Sequence, residues 1–248
     1  MSAPITPLEA RGLSQRFGRK RVLRRVDLRL DGGEIVGLVG ANGAGKTTLF
    51  SILSGLMAAD EGERRLGGQA VDELSLELRA RFAYVAHRPQ VYAGLSAREN
   101  LELAAGLRAS VGAETLPSDQ ALARFGLSDA ADRLVGAFSR GMAQRLALAR
   151  AFAARPEVLI LDEPFTALDR QGRELLAEIL ADERARGAAI LLSSHDHEML
   201  ARVADRILHL EGGVIAGEVR RGDDDPDGER FRLAALALWS GPAGAAEG

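Results

Sequence analysis

Apolar residues fall into two kinds of pattern along the chain. Glu34-Ile35-Val36-Gly37-Leu38-Val39, Val158-Leu159-Ile160-Leu161 and Ala188 to Ser193 are short, nearly unbroken apolar runs of strand length, as in strands covered on both faces. Helical periodicity follows each of the first two runs, from near Lys46 and over Arg170 to Arg186, and recurs over His197 to Ala204. Residues 9–30 read as two β segments around a turn at Gly18-Arg19-Lys20-Arg21, and residues 62–72 as a further turn-rich β segment. Ile207 to Leu210 and Val214 to Val219 flank Gly212-Gly213 as the arms of a hairpin would. Between these parts the period changes. Ser96-Ala97-Arg98-Glu99 has capping-box spacing at the head of a helical stretch, and Asp119 to Phe125 and Met142 to Ala154 also read as helix. The expected fold is therefore α/β: a mixed sheet core, an antiparallel β part, and a helical lobe inserted over about residues 88–155.

Residues 1–222 are expected to form the main domain, and 223–248 an acidic linker followed by a short C-terminal helix. The linker expectation rests on Asp223-Asp224-Asp225-Pro226-Asp227, and the helix on an amphipathic segment ending near Trp239. That helix is read as docked on the domain, with a membrane-surface or partner contact as the alternative. No apolar stretch approaches the roughly 18 residues of a spanning helix, and Met1-Ser2-Ala3-Pro4 does not open a signal peptide. Work at a membrane would then mean docking to another chain. With no cysteine, disulfides and thiolate metal sites are excluded. The net charge of −3 comes from interleaved acids and bases, which gives no reason to expect a nucleic acid partner.

Two segments carry chemistry on their own residues. Gly40-Ala41-Asn42-Gly43-Ala44-Gly45-Lys46-Thr47, with Thr48 after it, fits the GxxxxGK[ST] phosphate-binding loop. Glycines let successive N–H groups turn inward toward phosphate oxygens, and the following helix offers its positive end to the same anion. Lys46 can reach the β- and γ-phosphates of ATP, and the Thr47 hydroxyl can ligate Mg²⁺. Asp162-Glu163-Pro164 follows a buried strand. Asp162 is placed to hold Mg²⁺, and Glu163 to orient or deprotonate an attacking water.

Further segments resemble the ATP-binding cassette (ABC) family of P-loop ATPases, in family order over roughly residues 8–220. Phe138-Ser139-Arg140-Gly141-Met142-Ala143-Gln144-Arg145 resembles the family signature, usually LSGGQ, with Arg140 and Met142 departing from it. Ala167-Leu168-Asp169 resembles the D-loop, and His195 in Ser193-Ser194-His195-Asp196 the switch histidine. The resemblance implies that Ser139, Gly141 and Asp169 serve a nucleotide shared with a second cassette. It implies that His195 senses the γ-phosphate. Phe17 is either the aromatic that stacks on adenine or a core phenylalanine at a strand end. His87 falls where the family carries a glutamine; it either approaches Mg²⁺ or water, or contacts a membrane partner. The resemblance further implies an ATP hydrolase working as a cassette dimer, homo or hetero. It would sit on the inner, cytoplasmic face of a membrane, beside a transmembrane permease subunit, and power export. His87-Arg88-Pro89 and Pro164 to Asp169 resemble the ATP-binding subunit of the haem exporter of cytochrome c biogenesis; drug and lipid exporters share much of this.

Overall fold

The computed structural model describes residues 5–222, 225 and 228–240. In chain order the strands and helices are β1 (Leu8–Phe17), β2 (Lys20–Leu30), β3 (Ile35–Val39), α1 (Lys46–Leu53), β4 (Glu61–Leu66), β5 (Gln69–Ala70), α2 (Leu76–Arg79) and β6 (Phe82–Val85). There follow α3 (Ala97–Ala109), α4 (Ser118–Arg124), α5 (Arg140–Ala153), β7 (Val158–Asp162), α6 (Arg170–Ala185), β8 (Ala189–Ser193), α7 (His197–Val203), β9 (Arg206–Glu211), β10 (Val214–Arg220) and α8 (Glu229–Ser240).

A six-stranded sheet ordered β10-β9-β3-β8-β7-β6 forms the centre, parallel except for the β9–β10 hairpin. A four-stranded antiparallel sheet, β2-β1-β4-β5, packs beside it. The apolar runs explain the arrangement. Along β7, Val158 and Ile160 enter a core shared with the antiparallel sheet and α1, whereas Leu159 and Leu161 enter one shared with α5, α6 and α7. β8 divides the same way, Ala189 and Leu191 against Ile190 and Leu192. Strands apolar at every position are thus covered on both faces, as their period predicts. β3 carries Gly37 where a Cβ would stand 2.9 Å from Leu200 Cδ1, so the glycine lets α7 lie close on the sheet.

Of the inserted helices, α3 begins as the sequence indicates, while α4 starts at Ser118 and α5 at Arg140, slightly ahead of the expected Asp119 and Met142. Ser96 Oγ accepts the Glu99 N–H, and Glu99 in return accepts the Ser96 N–H at 2.7 Å, completing the capping box of α3. Two elements escaped the pattern: β6, an edge strand of only four residues, and the single turn α2 before it.

At the other end, α8 lies against β10, β9 and α7. Asp225 accepts the N–H groups of Phe231 at 2.8 Å and Arg230 at 3.3 Å. Those bonds hold its carboxyl below the usual carboxylate range. One acid of the expected linker is therefore a helix anchor; Asp223, Asp224, Pro226 and Asp227 lie outside the described residues. Phe231 is buried beneath the Arg221 guanidinium, which also donates to the carbonyls of Ala201 and Ala204 at the end of α7. Trp239 stacks on His197 at the start of α7.

Candidate nucleotide site

The loop between β3 and α1 is shaped by glycines at positions closed to other residues. Gly40 has φ 153°, and a Cβ there would strike the Leu210 carbonyl of β9. Gly45 has φ 111° and caps α1, where a Cβ would stand 2.9 Å from Leu23. Lys46 donates to the carbonyls of Gly40 at 2.6 Å and Ala41 at 3.3 Å, so its ammonium lies across the loop that its own backbone follows.

The loop walls a cavity of about 570 Å³. Asn42, Gly43, Gly45, Lys46, Thr47 and Thr48 line one side, Phe17, Lys20 and Val22 of the first hairpin another, and His87, Asp162, Glu163 and His195 the far side. Phe17 is 54% exposed, so it is a free aromatic face and not a core residue. Gly40 and Ala44 shape the loop without lining the cavity.

The far side is a continuous hydrogen-bonded chain. The Thr47 hydroxyl donates to Asp162 Oδ2 at 2.8 Å, and the Ser193 hydroxyl donates to Asp162 Oδ1 at 2.7 Å. Ser193 Oγ accepts the Glu163 N–H at 3.0 Å, and Glu163 Oε2 accepts the His195 N–H at 3.0 Å. Glu163 is held at φ 56°, a left-handed conformation costing a non-glycine residue about 1 kcal/mol or more. Its other oxygen, Oε1, is buried and accepts no hydrogen bond, with the exposed His195 imidazole 3.4 Å away. Nearby Tyr84 is half-buried; burial first, then the Asp162 charge, push its phenol up to about 12, so it stays neutral.

The oxygen donors fit Mg²⁺. Among the described residues no group of three or more His, Cys, Asp or Glu side chains is arranged to hold a metal. A hydroxyl and a carboxylate in contact, Thr47 and Asp162, match a hard cation that takes its remaining ligands from water and phosphates.

The model of the ABC transporter family matches residues 23–166. The chain belongs to the ABC transporter family. It is 38% identical to a Nod factor export ATP-binding protein of Burkholderia lata, over 85% of this chain and 69% of that one. Identity is 37% with a daunorubicin resistance ATP-binding protein of Streptomyces coeruleorubidus, over 89% and 67%. It is also 37% with an aliphatic sulfonates import ATP-binding protein of Xanthomonas axonopodis, over 90% and 88%. A solved structure of an ATP-binding subunit of an ABC transporter superposes with a TM-score of 0.81 at 33% identity, covering 94% of this chain and 98% of that one. This cassette thus binds ATP, and its hydrolysis of ATP is coupled to transport. No helix among the described residues is long and apolar enough to cross a membrane.

Three expected site residues stand apart from the cavity. Ser139 caps α5, its hydroxyl accepting the Met142 N–H at 3.2 Å. Gly141 lies so close to the next loop that a Cβ would stand 2.8 Å from the Ala167 carbonyl. Asp169 caps α6 through the Gly172 N–H at 2.8 Å. Sequence reasoning missed three others. Lys20 and Val22 reach the cavity only because the first hairpin folds over the loop, which no motif announces. Ser193 stands directly before the noted Ser194-His195, and its position at the end of a strand paired with β7 was the available signal.

Proposed function

We propose that this cassette hydrolyses ATP with Glu163 as general base and powers export through a separate transmembrane permease subunit. The observation that carries the base assignment is Glu163 Oε1, a buried carboxylate oxygen with no hydrogen bond at the wall of the cavity. Such an acceptor is costly unless it is used, and an attacking water supplies its missing donor.

In this reading Phe17 stacks on the adenine, while the loop from Gly40 to Thr48 and Lys46 hold the phosphates. Thr47 and Asp162 would hold Mg²⁺, which when bound neutralises charge on the β- and γ-phosphates. His195, already beside Glu163, turns to the γ-phosphate and thereby uncovers Oε1. An imidazole nitrogen is a poor donor for a hard cation, so His87 is assigned to water or to the membrane partner ahead of the metal. Ser139, Gly141 and Asp169 lie outside this cavity because they complete the cavity of a second cassette, which makes the active unit a dimer. Residues 1–222 make up the cassette in this scheme, and α8 is an appendage to it.

Docking at a membrane partner is supported by a groove between β6, α3 and α5. Tyr92, Leu103 and Leu107 are exposed there beside Arg108 and Arg150. It lies next to the loop carrying His87, so movement at the nucleotide has a short path to the partner. In this reading the protein sits on the inner, cytoplasmic face of the membrane. Relatives named for export and for import stand at similar identity. The export reading leans on Ser139-Arg140-Gly141-Met142, which resembles the form of the signature that some exporter subunits carry, and its haem version only on His87 to Pro89 and Pro164 to Asp169.

The test is a mild-detergent pull-down from native cells, with bound chains identified by mass spectrometry. A polytopic membrane protein is the expected result, and a haem-handling neighbour would support the haem version. Soluble partners alone, with membranes fully dissolved, would overturn the permease assignment.

A further inference from the structure

A second cavity, about 290 Å³, adjoins the nucleotide site and is not used by the reading above. It shares Lys20, Val22, Asn42 and Gly43 with the nucleotide cavity, so the two adjoin along one wall. Lys20, Arg21 and Arg24 line it, and Glu211 is the one carboxylate on its wall. All three cations are exposed, and none forms an ion pair with an acid among the described residues. Arg29, by contrast, holds both Glu9 and Asp31, and Arg98 holds both Asp119 and Asp132.

The backbone fixes the cluster in place. The Arg24 N–H donates to the Gly213 carbonyl at 2.8 Å, tying β2 to the β9–β10 turn across the cavity. A bulge follows, where Arg25 at φ 51° donates its N–H to Ser14 Oγ at 3.1 Å. Bulges of this kind redirect the side chains around them.

The whole chain carries a net charge of −3, so its long-range field repels ATP. Local positive charge at a cavity mouth reverses that field and raises the capture rate of an anion, by about tenfold or more in strong cases. We propose that Lys20, Arg21 and Arg24 form an electropositive collar that captures the polyphosphate of incoming ATP and speeds its entry. This rests on the nucleotide-site reading above. The collar acts on association, while the phosphate loop and Phe17 set dissociation. It favours a triphosphate over a diphosphate because the triphosphate carries more charge.

Stopped-flow mixing with a fluorescent N-methylanthraniloyl ATP and Mg²⁺ tests this on the full chain. Arg21→Gln with Arg24→Gln is the variant; Lys20 stays, because it also lines the nucleotide cavity. The association rate constant should fall roughly three- to tenfold at low salt, with dissociation changed less than twofold. Wild type and variant should converge as added salt shortens the Debye length, and the matching diphosphate should lose less. Unchanged association with an unchanged salt slope would overturn the collar, as would a loss confined to dissociation. A wild-type chain that binds no nucleotide would overturn the site reading with it, which keeps the two failures distinct.

Discussion

Glu163 sits where three demands meet: a left-handed backbone, a buried side chain and an oxygen without a donor. Glu163→Gln keeps the shape and removes the basicity. ATP binding should persist while turnover falls by about a hundredfold or more, read by nucleotide binding and phosphate release on one preparation. Wild-type turnover in the variant would remove Glu163 from the chemistry. Lys46→Ala should weaken nucleotide affinity instead, since its ammonium is the charge lying over the loop. Ser193 separates a supporting role from a reacting one. Its hydroxyl donates to Asp162 and accepts from Glu163, so Ser193→Ala leaves a buried acceptor and a buried N–H unpaired, at a cost of about 1–3 kcal/mol each. Thermal unfolding should register the loss, and kcat should drop more than KM rises. The motifs pointed to Lys46, Asp162 and Glu163 because their spacing encodes them, and the family resemblance pointed to His195. Lys20, Val22 and Ser193 were not legible, because their roles arise from how separate strands meet.

Among the elements, those with strong local codes were readable: the capping box of α3, the apolar runs of β3, β7 and β8, and the glycine pair between β9 and β10. β6 was not, since Phe82–Val85 is a short edge strand whose place comes from pairing with β7. The strand order was equally hidden, because it depends on contacts between segments far apart in sequence. For α8, the outcome favours docking on the domain, and the element supplies its own reporter. Trp239 is the only tryptophan, and it stacks on His197 two residues beyond His195. Burial, then the His195 charge, lower the His197 pKa from 6.5, and Asp196 opposes the shift. A lowered pKa means the fold favours neutral His197. Its contribution to docking is therefore present above about 6.5 and is lost as pH falls through the depressed value. Trp239 fluorescence, quenched by a protonated imidazole, should titrate with a midpoint below that of a free histidine. His197→Leu should abolish the transition; a midpoint at or above the ordinary value would refute the half-buried contact of the two rings.

At the scale of the whole molecule, the position of Ser139 makes the sharpest demand. It caps α5 outside the cavity that holds Lys46 and Glu163, and in the proposed dimer it serves the nucleotide of a second chain. Two damaged chains should then rescue each other. Lys46→Ala spoils the phosphate loop and leaves Ser139 intact. Ser139→Asp keeps an N-cap acceptor for α5, because aspartate caps as well as serine, but it turns a negative charge toward the γ-phosphate of the opposing subunit. A dimer of either variant has no whole site. A mixed dimer has one, built from the phosphate loop of the Ser139→Asp chain and the α5 terminus of the Lys46→Ala chain. Random pairing makes half the dimers mixed, each with one site of two, so ATPase activity should recover to about a quarter of wild type. The measurement is phosphate release from an equimolar mixture, in the assembled transporter or with chains dimerised by ATP. Recovery that grows with mixing time would mark subunit exchange. A mixture no more active than its parts, with exchange shown by a tag on one chain, would mean that each cassette is complete in itself and that Ser139 is only the cap of its helix.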